Sequence, residues 1–163
     1  MTTTRTPPAS RLQAELQQKK PFRSIEEEGL IGIVRTADLV RRRFGRVVEP
    51  HGISGQQYNV LRILRGARPE ALPTLTIAER MIEQTPGITR LLDRLERKGL
   101  VRRERCATDR RQVLCEITAP GLAVLKQLEA PLSRSHREML GRLPAGDLRS
   151  LIRILDAIRE DNA

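Results

Sequence analysis

Tryptophan is absent from this chain of 163 residues, and only one tyrosine and two phenylalanines are present. With hydrophobic residues at 39% and aromatics at 2%, the core must be filled by Leu, Ile, Val and Ala, which suits packed helices. No segment approaches the roughly 20 consecutive apolar residues of a membrane-spanning helix. Residues 1–20 also lack the apolar run of a secretory signal. A cytoplasmic location is expected, with the only two cysteines, Cys106 and Cys115, held as reduced thiols. The two histidines, His51 and His136, lack the short spacing of a metal site, so neither a metal nor another cofactor is expected. There is no nucleophile elbow, phosphate loop or Ser/His/Asp set. Nothing in the residues speaks for catalysis, and the chain is not expected to be an enzyme.

What is abundant is positive charge, +10 overall. Residues 1–23 carry five cations against one anion, and residues 85–112 carry nine against four. Residues 24–84 are nearly balanced and residues 113–163 are balanced. A base-biased genome accounts for arginine over lysine but not for this clustering. Concentrated positive charge is the footprint of a polyanion binder.

Residues 1–23 are expected to form a disordered basic tail, with a short helix allowed over 12–20 and ended by Pro21. A single domain is expected over residues 24–163. Ser24 caps a long helix whose first turn carries Glu26, Glu27 and Glu28. Leu30, Ile33, Val34, Ala37, Val40, Phe44, Val47 and Val48 follow at helical spacing, until Pro50 and Gly52 stop it. Ser54 and Gln57 read as a capping box for the next helix. Residues 66–73 read as a loop. Thr76 and Glu79 suggest another capping box, opening a helix through about Gln84. Thr85 then caps a helix with Pro86 at its first position and Gly99 at its left-handed end. Residues 100–106 and 112–118 have strand character. Thr118 caps a helix to about Gly141 that Pro131 kinks or splits. Pro144 opens a last helix bearing Leu148, Leu151, Ile152, Leu155 and Ile158.

On a wheel at 100° per residue, Ile88, Leu91, Leu92 and Leu95 fall in one sector of about 100°. Arg90, Asp93 and Arg97 lie opposite, with Thr89 and Arg94 on the flanks. Preceded by a short helix and a tight turn, and followed by a basic hairpin, this pattern describes a helix-turn-helix with a wing. The fold class expected is mainly α with a small β-hairpin wing. A helix of this kind fits the major groove of duplex DNA, where arginine pairs with guanine and residues near the helix start reach deepest. Thr85, Gly87, Thr89 and Arg90 are therefore candidate base-reading positions, with Pro86 a DNA-binding candidate on the same outward side. Arg94 and Arg97 are candidate phosphate contacts. The tip of the hairpin, Asp109-Arg110-Arg111, offers cations to a narrow minor groove. Asp109 is read either as the holder of an arginine or as a simple turn-former. Apolar stripes on the first long helix and the last helix suggest a two-fold interface over residues 24–50 and 119–163, flanking the winged segment 54–118. Two recognition helices about 34 Å apart then match one DNA turn.

The run Thr85-Pro86-Gly87-Ile88-Thr89-Arg90-Leu91-Leu92-Asp93-Arg94-Leu95-Glu96-Arg97-Lys98-Gly99-Leu100-Val101 resembles the recognition helix and first wing strand of the MarR family. Asp109-Arg110-Arg111, followed by Val113-Leu114, Ile117-Thr118 and Gly121, resembles its wing. The similarity extends over about residues 24–160. It implies a dimeric bacterial regulator of transcription on a pseudo-palindromic operator, most simply a repressor released by a small effector. It also implies that Arg111 enters the minor groove, that Asp109 orients it, that Arg110 meets phosphate, and that Asp93 pairs with a wing arginine. Pro86-Gly87 departs from the polar pair usual there. An effector cleft is expected to be apolar, with Phe44, His51, Tyr58 and Leu61 as contributors.

Two further expectations concern the cysteines and the rival function. If Cys106 pairs near Gln112, Cys115 sits opposite Arg103, roughly 10 Å along the strand from Cys106 and on the other face, which is too far for a disulfide. Cys115 reads as a core residue. Cys106, among arginines, is the better candidate for oxidation sensing. The alternative to a sequence-specific regulator is a nucleoid or RNA-binding protein that binds nucleic acid without sequence preference.

Overall fold

In the computed structural model, residues 10–83 and 87–160 are described. Thr85 and Pro86 lie outside them. Two compact units are distinguished, residues 1–42 and 43–163.

The first unit holds α1 (Arg11–Glu15) and the N-terminal part of α2 (Ile25–Val48). Residues 11–15 are helical, not an irregular tail, because Ser10 accepts the amide of Gln13 and caps the turn. The helix is shorter than the 12–20 segment read from the sequence. It stops before Gln17, which takes a φ of 52°. Ser24 caps α2 through the Glu27 amide, with Glu26, Glu27 and Glu28 in the first turn. Leu30, Ile33, Val34, Leu39 and Val40 of this helix are exposed.

The second unit contains the core. The C-terminal end of α2 leads through a short 3-10 turn, Glu49–His51, to α3 (Gly55–Ala67). Ser54 and Gln57 form the reciprocal capping box the sequence suggests. Helix α3 is the central post, with Val60, Leu61 and Leu64 essentially inaccessible to water. Next come β1 (Leu72–Pro73), α4 (Thr74–Glu79) and α5 (Ile88–Arg97). Strands β2 (Val101–Arg105) and β3 (Val113–Ile117) form the hairpin. Helices α6 (Ala119–Leu140) and α7 (Ala145–Glu160) complete the chain.

Three readings of the sequence are corrected here. Residues 72–73 are a strand, not loop: Leu72 pairs with Cys115 and Pro73 with Leu114, giving the antiparallel order β1-β3-β2. Pro73 is tolerated because β1 is an edge. Helix α4 starts two residues before Thr76 and ends at Glu79, so Thr76 caps nothing. Its start is fixed instead by β1 and by Thr74, whose hydroxyl donates to the Val113 carbonyl at 3.2 Å. Helix α6 continues through Pro131, so the proline does not split it in two.

The hairpin register matches the expectation. Arg103 lies opposite Cys115, and the Cys106 amide donates to the Gln112 carbonyl at 3.0 Å. Both cysteines are free. Thr118 caps α6 through the Gly121 amide, and Leu125, Leu128 and Leu132 bury its inner side. Helix α7 has no buried residue, and Leu151, Ile152, Ile154 and Ile158 are exposed along it.

Candidate nucleic-acid interface

Helix α5 is amphipathic in the sense the wheel implies. Leu92 and Leu95 are fully buried, and Leu91 nearly so. At about 1.5–3 kcal/mol for each large aliphatic side chain buried, these three fix which side of the helix faces outward. That outward side carries Thr89, Arg90, Arg94 and Arg97, all exposed. The helix ends cleanly at Gly99, whose φ of 68° suits a residue without Cβ. The Leu100 amide reaches back to the Leu95 carbonyl at 3.0 Å.

The start of α5 differs from the sequence reading. Ile88 is its first residue and Gly87 its N-cap, with a left-handed φ of 105°. The sequence pattern assigns the cap to Thr85 and the first turn to Pro86. The helix starts after them, and their own placement lies outside the described residues. Gly87 has no side chain to read a base, and its observed role is the backbone turn into the helix.

Arg103 joins wing to helix. It projects from β2 on the same side as buried Val101 and is itself only 21% exposed along its side chain. One guanidinium nitrogen lies 2.6 Å from Asp93 and 2.6 Å from Glu96, and Nε donates to Glu96 at 2.9 Å. The Glu96 carboxylate, and to a lesser degree Asp93, raises the Arg103 pKa above its ordinary value, while burial opposes this. Two guanidinium nitrogens converge on one Glu96 oxygen while Asp93 takes a second contact, and this three-residue ion pair ties the hairpin to α5. Asp93 thus meets an arginine of the wing strand, as the family resemblance implies. Arg103 itself was not singled out in the sequence, although strand alternation from Val101 would have marked it as inward-facing.

At the wing tip, Arg110 and Arg111 are exposed. Asp109 does not hold the Arg111 guanidinium through any bond seen here. Its carboxylate accepts the Arg111 backbone amide at 3.0 Å and the Gln112 side-chain amide at 3.0 Å. Its carbonyl accepts the Gln112 amide at 2.9 Å. Asp109 shapes the loop that presents Arg111.

The candidate effector residues are arranged differently from the apolar cleft expected. Leu61 is fully buried in the core and faces no opening. Phe44 and Tyr58 pack edge to face with ring centroids 5.2 Å apart, filling the space between them. Phe44 also lies 3.2 Å from where a Cβ on Gly55 would stand. His51 donates through Nδ1 to the Val47 carbonyl at 3.2 Å. An open cleft of about 420 Å³ in this unit is lined by Arg43, Arg46 and Val47 of α2 with Pro131, Arg134, Ser135 and Glu138 of α6. Among the described residues, no group of three His, Cys, Asp or Glu side chains could hold a metal ion. No helix among them is long and apolar enough to cross a membrane.

Cys106 sits beside the wing turn with Sγ 3.2 Å from the Thr108 hydroxyl. That hydroxyl, followed by the Asp109 and Thr108 amides, lowers its thiol pKa below the usual value. Burial pushes Cys115 the other way. At neutral pH, Cys106 is expected to be alkylated by iodoacetamide at least tenfold faster than Cys115, measured by mass spectrometry of quenched samples. Equal rates would show that the hairpin opens freely in solution.

An apolar-backed helix with an arginine-bearing front, tied by an ion pair to a basic hairpin, defines a winged helix-turn-helix DNA-binding protein. The comparisons with known proteins agree. Residues 53–113 match the model of the MarR family. A solved MarR transcription factor from Planctomyces limnophilus is 40% identical, with 83% of this chain and 98% of that one covered and a TM-score of 0.66. A mutant MarR from Escherichia coli, solved in complex with operator DNA, is 26% identical over 91% of this chain and 99% of that chain, with a TM-score of 0.69. The homoprotocatechuate degradative operon repressor of Escherichia coli is 25% identical over 126 residues, 77% of this chain and 84% of that protein. The chain belongs to the MarR family and is a DNA-binding transcriptional regulator.

Proposed function

We propose that the chain acts in the cytoplasm as a homodimeric repressor of a pseudo-palindromic operator, released when a small anionic ligand binds. The observation that carries the DNA-reading part is the exposed front of α5 together with the exposed wing tip. Thr89 and Arg90, in the first turn of α5, suit base edges. Arg94 and Arg97 suit phosphates, Arg110 a flanking phosphate, and Arg111 the minor groove.

Dimerisation is supported by the two apolar faces left uncovered, one on α2 and one on α7. An α7 without a buried residue gains little by folding alone. A second copy would cover both faces and set two α5 helices on successive major grooves. An anionic ligand class is supported by the cleft in which Arg43, Arg46 and Arg134 outnumber the one carboxylate of the lining, Glu138, a balance that suits a carboxylate or phosphate better than a neutral aromatic. To act, such a ligand must prefer one spacing of the two α5 helices over the other.

The test begins with selection of duplexes from a random pool by the purified protein. An inverted repeat is the expected outcome. Retention of unrelated fragments with equal affinity would favour a nucleoid or RNA-binding protein without sequence preference. On the selected duplex, Arg111→Ala is expected to weaken binding by about 1–3 kcal/mol. Its plot of log K against log salt should flatten by about 0.9 for each phosphate that is no longer neutralised. Wild-type affinity in Arg111→Ala would remove the wing from the interface.

A further inference from the structure

Among the described residues, two polar side chains are buried, Gln57 and Asn59. Gln57 belongs to the capping box of α3. Asn59 serves no cap of its own helix. It is 8% exposed, and its Oδ1 accepts the backbone amide of Ile82 at 2.9 Å, 23 residues further along.

The place of that bond gives it meaning. Helix α4 closes with the Arg80 amide on the Thr76 carbonyl and the Met81 amide on the Ala78 carbonyl. The next amide, that of Ile82, lies beyond the helix and goes to Asn59. Five residues later Gly87 turns the chain into α5. The Ile82 side chain is 77% exposed, so packing of its own side chain does little to hold this backbone. Asn59 is thus a point at which α3 holds the chain as it leaves α4. The acceptor end of this part-buried bond is the buried one, so removing the Asn59 carbonyl releases the Ile82 backbone from α3 and lets it turn to water instead. Helix α3 also carries the neighbouring Tyr58, which packs on Phe44.

We propose that Asn59 is a positioning residue for DNA recognition: by holding the Ile82 amide, it sets where the turn before α5 lies, and so how α5 meets base edges. The proposal rests on the reading of α5 as a sequence reader. Phosphate contacts tolerate small shifts of a helix, whereas paired hydrogen bonds to bases do not. Loss of the bond should therefore reduce discrimination between DNA sequences more than it reduces binding to DNA in general.

The experiment measures, at one salt concentration, the affinity of full-length protein for a duplex selected by the wild type and for a scrambled duplex of equal length. It also follows amide hydrogen exchange at Ile82. Asn59→Leu, similar in size and without an acceptor, is expected to lower the specific-to-scrambled ratio about tenfold and to speed Ile82 exchange. Asn59→Asp keeps the acceptor. Its added charge weakens both duplexes alike, so the ratio and Ile82 protection should recover. If Asn59→Leu does not fold, Asn59→Ala carries the same expectation. An unchanged ratio in a folded Asn59→Leu or Asn59→Ala protein would overturn the proposal. So would a ratio that Asn59→Asp fails to recover while Ile82 stays protected. A wild-type ratio near one would overturn the reading of α5 itself, whereas exchange at Ile82 reports on the Asn59 bond independently of DNA.

Discussion

Gly121→Ala is expected to lower the unfolding free energy by about 3 kcal/mol, in the range of severe overpacking. A Cβ at this position would stand 2.4 Å from the Leu100 carbonyl oxygen and 2.7 Å from an Ile117 side-chain carbon. The first of these neighbours is backbone and cannot swing aside. Leu100 O already accepts the Thr118 amide at 3.1 Å, and the Thr118 hydroxyl donates to the Gly99 carbonyl at 2.6 Å while capping α6. Moving Leu100 therefore disturbs the end of α5, the start of β2 and the start of α6 together. The gain in helix propensity from Gly to Ala, about 1 kcal/mol, does not offset this. Denaturant titration and thermal melts provide the measurement, with a Tm expected to fall by about 6–12 °C. Gly66→Ala is the internal control. Nothing lies within 4 Å of its added Cβ, so it should stabilise the protein by about 0.5–1 kcal/mol. Equal melting of the two variants would mean that the α6–wing junction is looser than these distances imply.

The contrast between these glycines shows where the sequence was legible. Gly121 belongs to the run that resembles the family wing, but its reason, a backbone carbonyl at 2.4 Å, depends on contacts between distant segments. The helical periods could be read because Leu, Ile and Val recur at helical spacing, buried along α3, α5 and α6 and left as uncovered apolar faces on α2 and α7. The capping box at Ser54 and the left-handed Gly99 were legible for the same local reason. Strand β1 was not: two residues have no periodicity, and its proline argues for loop until β3 supplies a partner. The start of α4 was misread because Thr76-Glu79 satisfies a capping pattern that tertiary pairing at Thr74 overrides. In the interface, the exposed arginines followed from the wheel. Arg103 and Asn59 did not, since each acts through a partner on another element. The residues expected to line an effector cleft have packing partners of their own in the single chain. Few aromatics leave Phe44 and Tyr58 to satisfy each other, and Leu61 is needed by the core.

Arg103→Glu is expected to weaken DNA binding about a hundredfold, since like charges brought together cost several kcal/mol and the wing must swing away to relieve them. The variant would place a third carboxylate beside Asp93 and Glu96, both of which now lie 2.6 Å from the guanidinium. Two losses combine. The hairpin loses its fixed angle to α5, so Arg110 and Arg111 no longer approach the groove in register with Arg90 and Arg94. The protein surface also becomes less positive by two charges, which weakens attraction to any duplex. A neutral replacement separates the two. Arg103→Met removes one charge and the clamp without adding repulsion, so its loss is smaller. The decisive variant exchanges the pair: Arg103→Glu with Glu96→Arg restores one cation and one carboxylate across the same contact while Asp93 stays in place. Its coupling energy, from a double-mutant cycle on the selected duplex, should recover a substantial share of the single-variant loss. Additive losses in that cycle would mean that Arg103 contributes only as part of the general positive charge. The wing would then hold its angle through the pairing of β2 with β3 and the packing of Val101 alone.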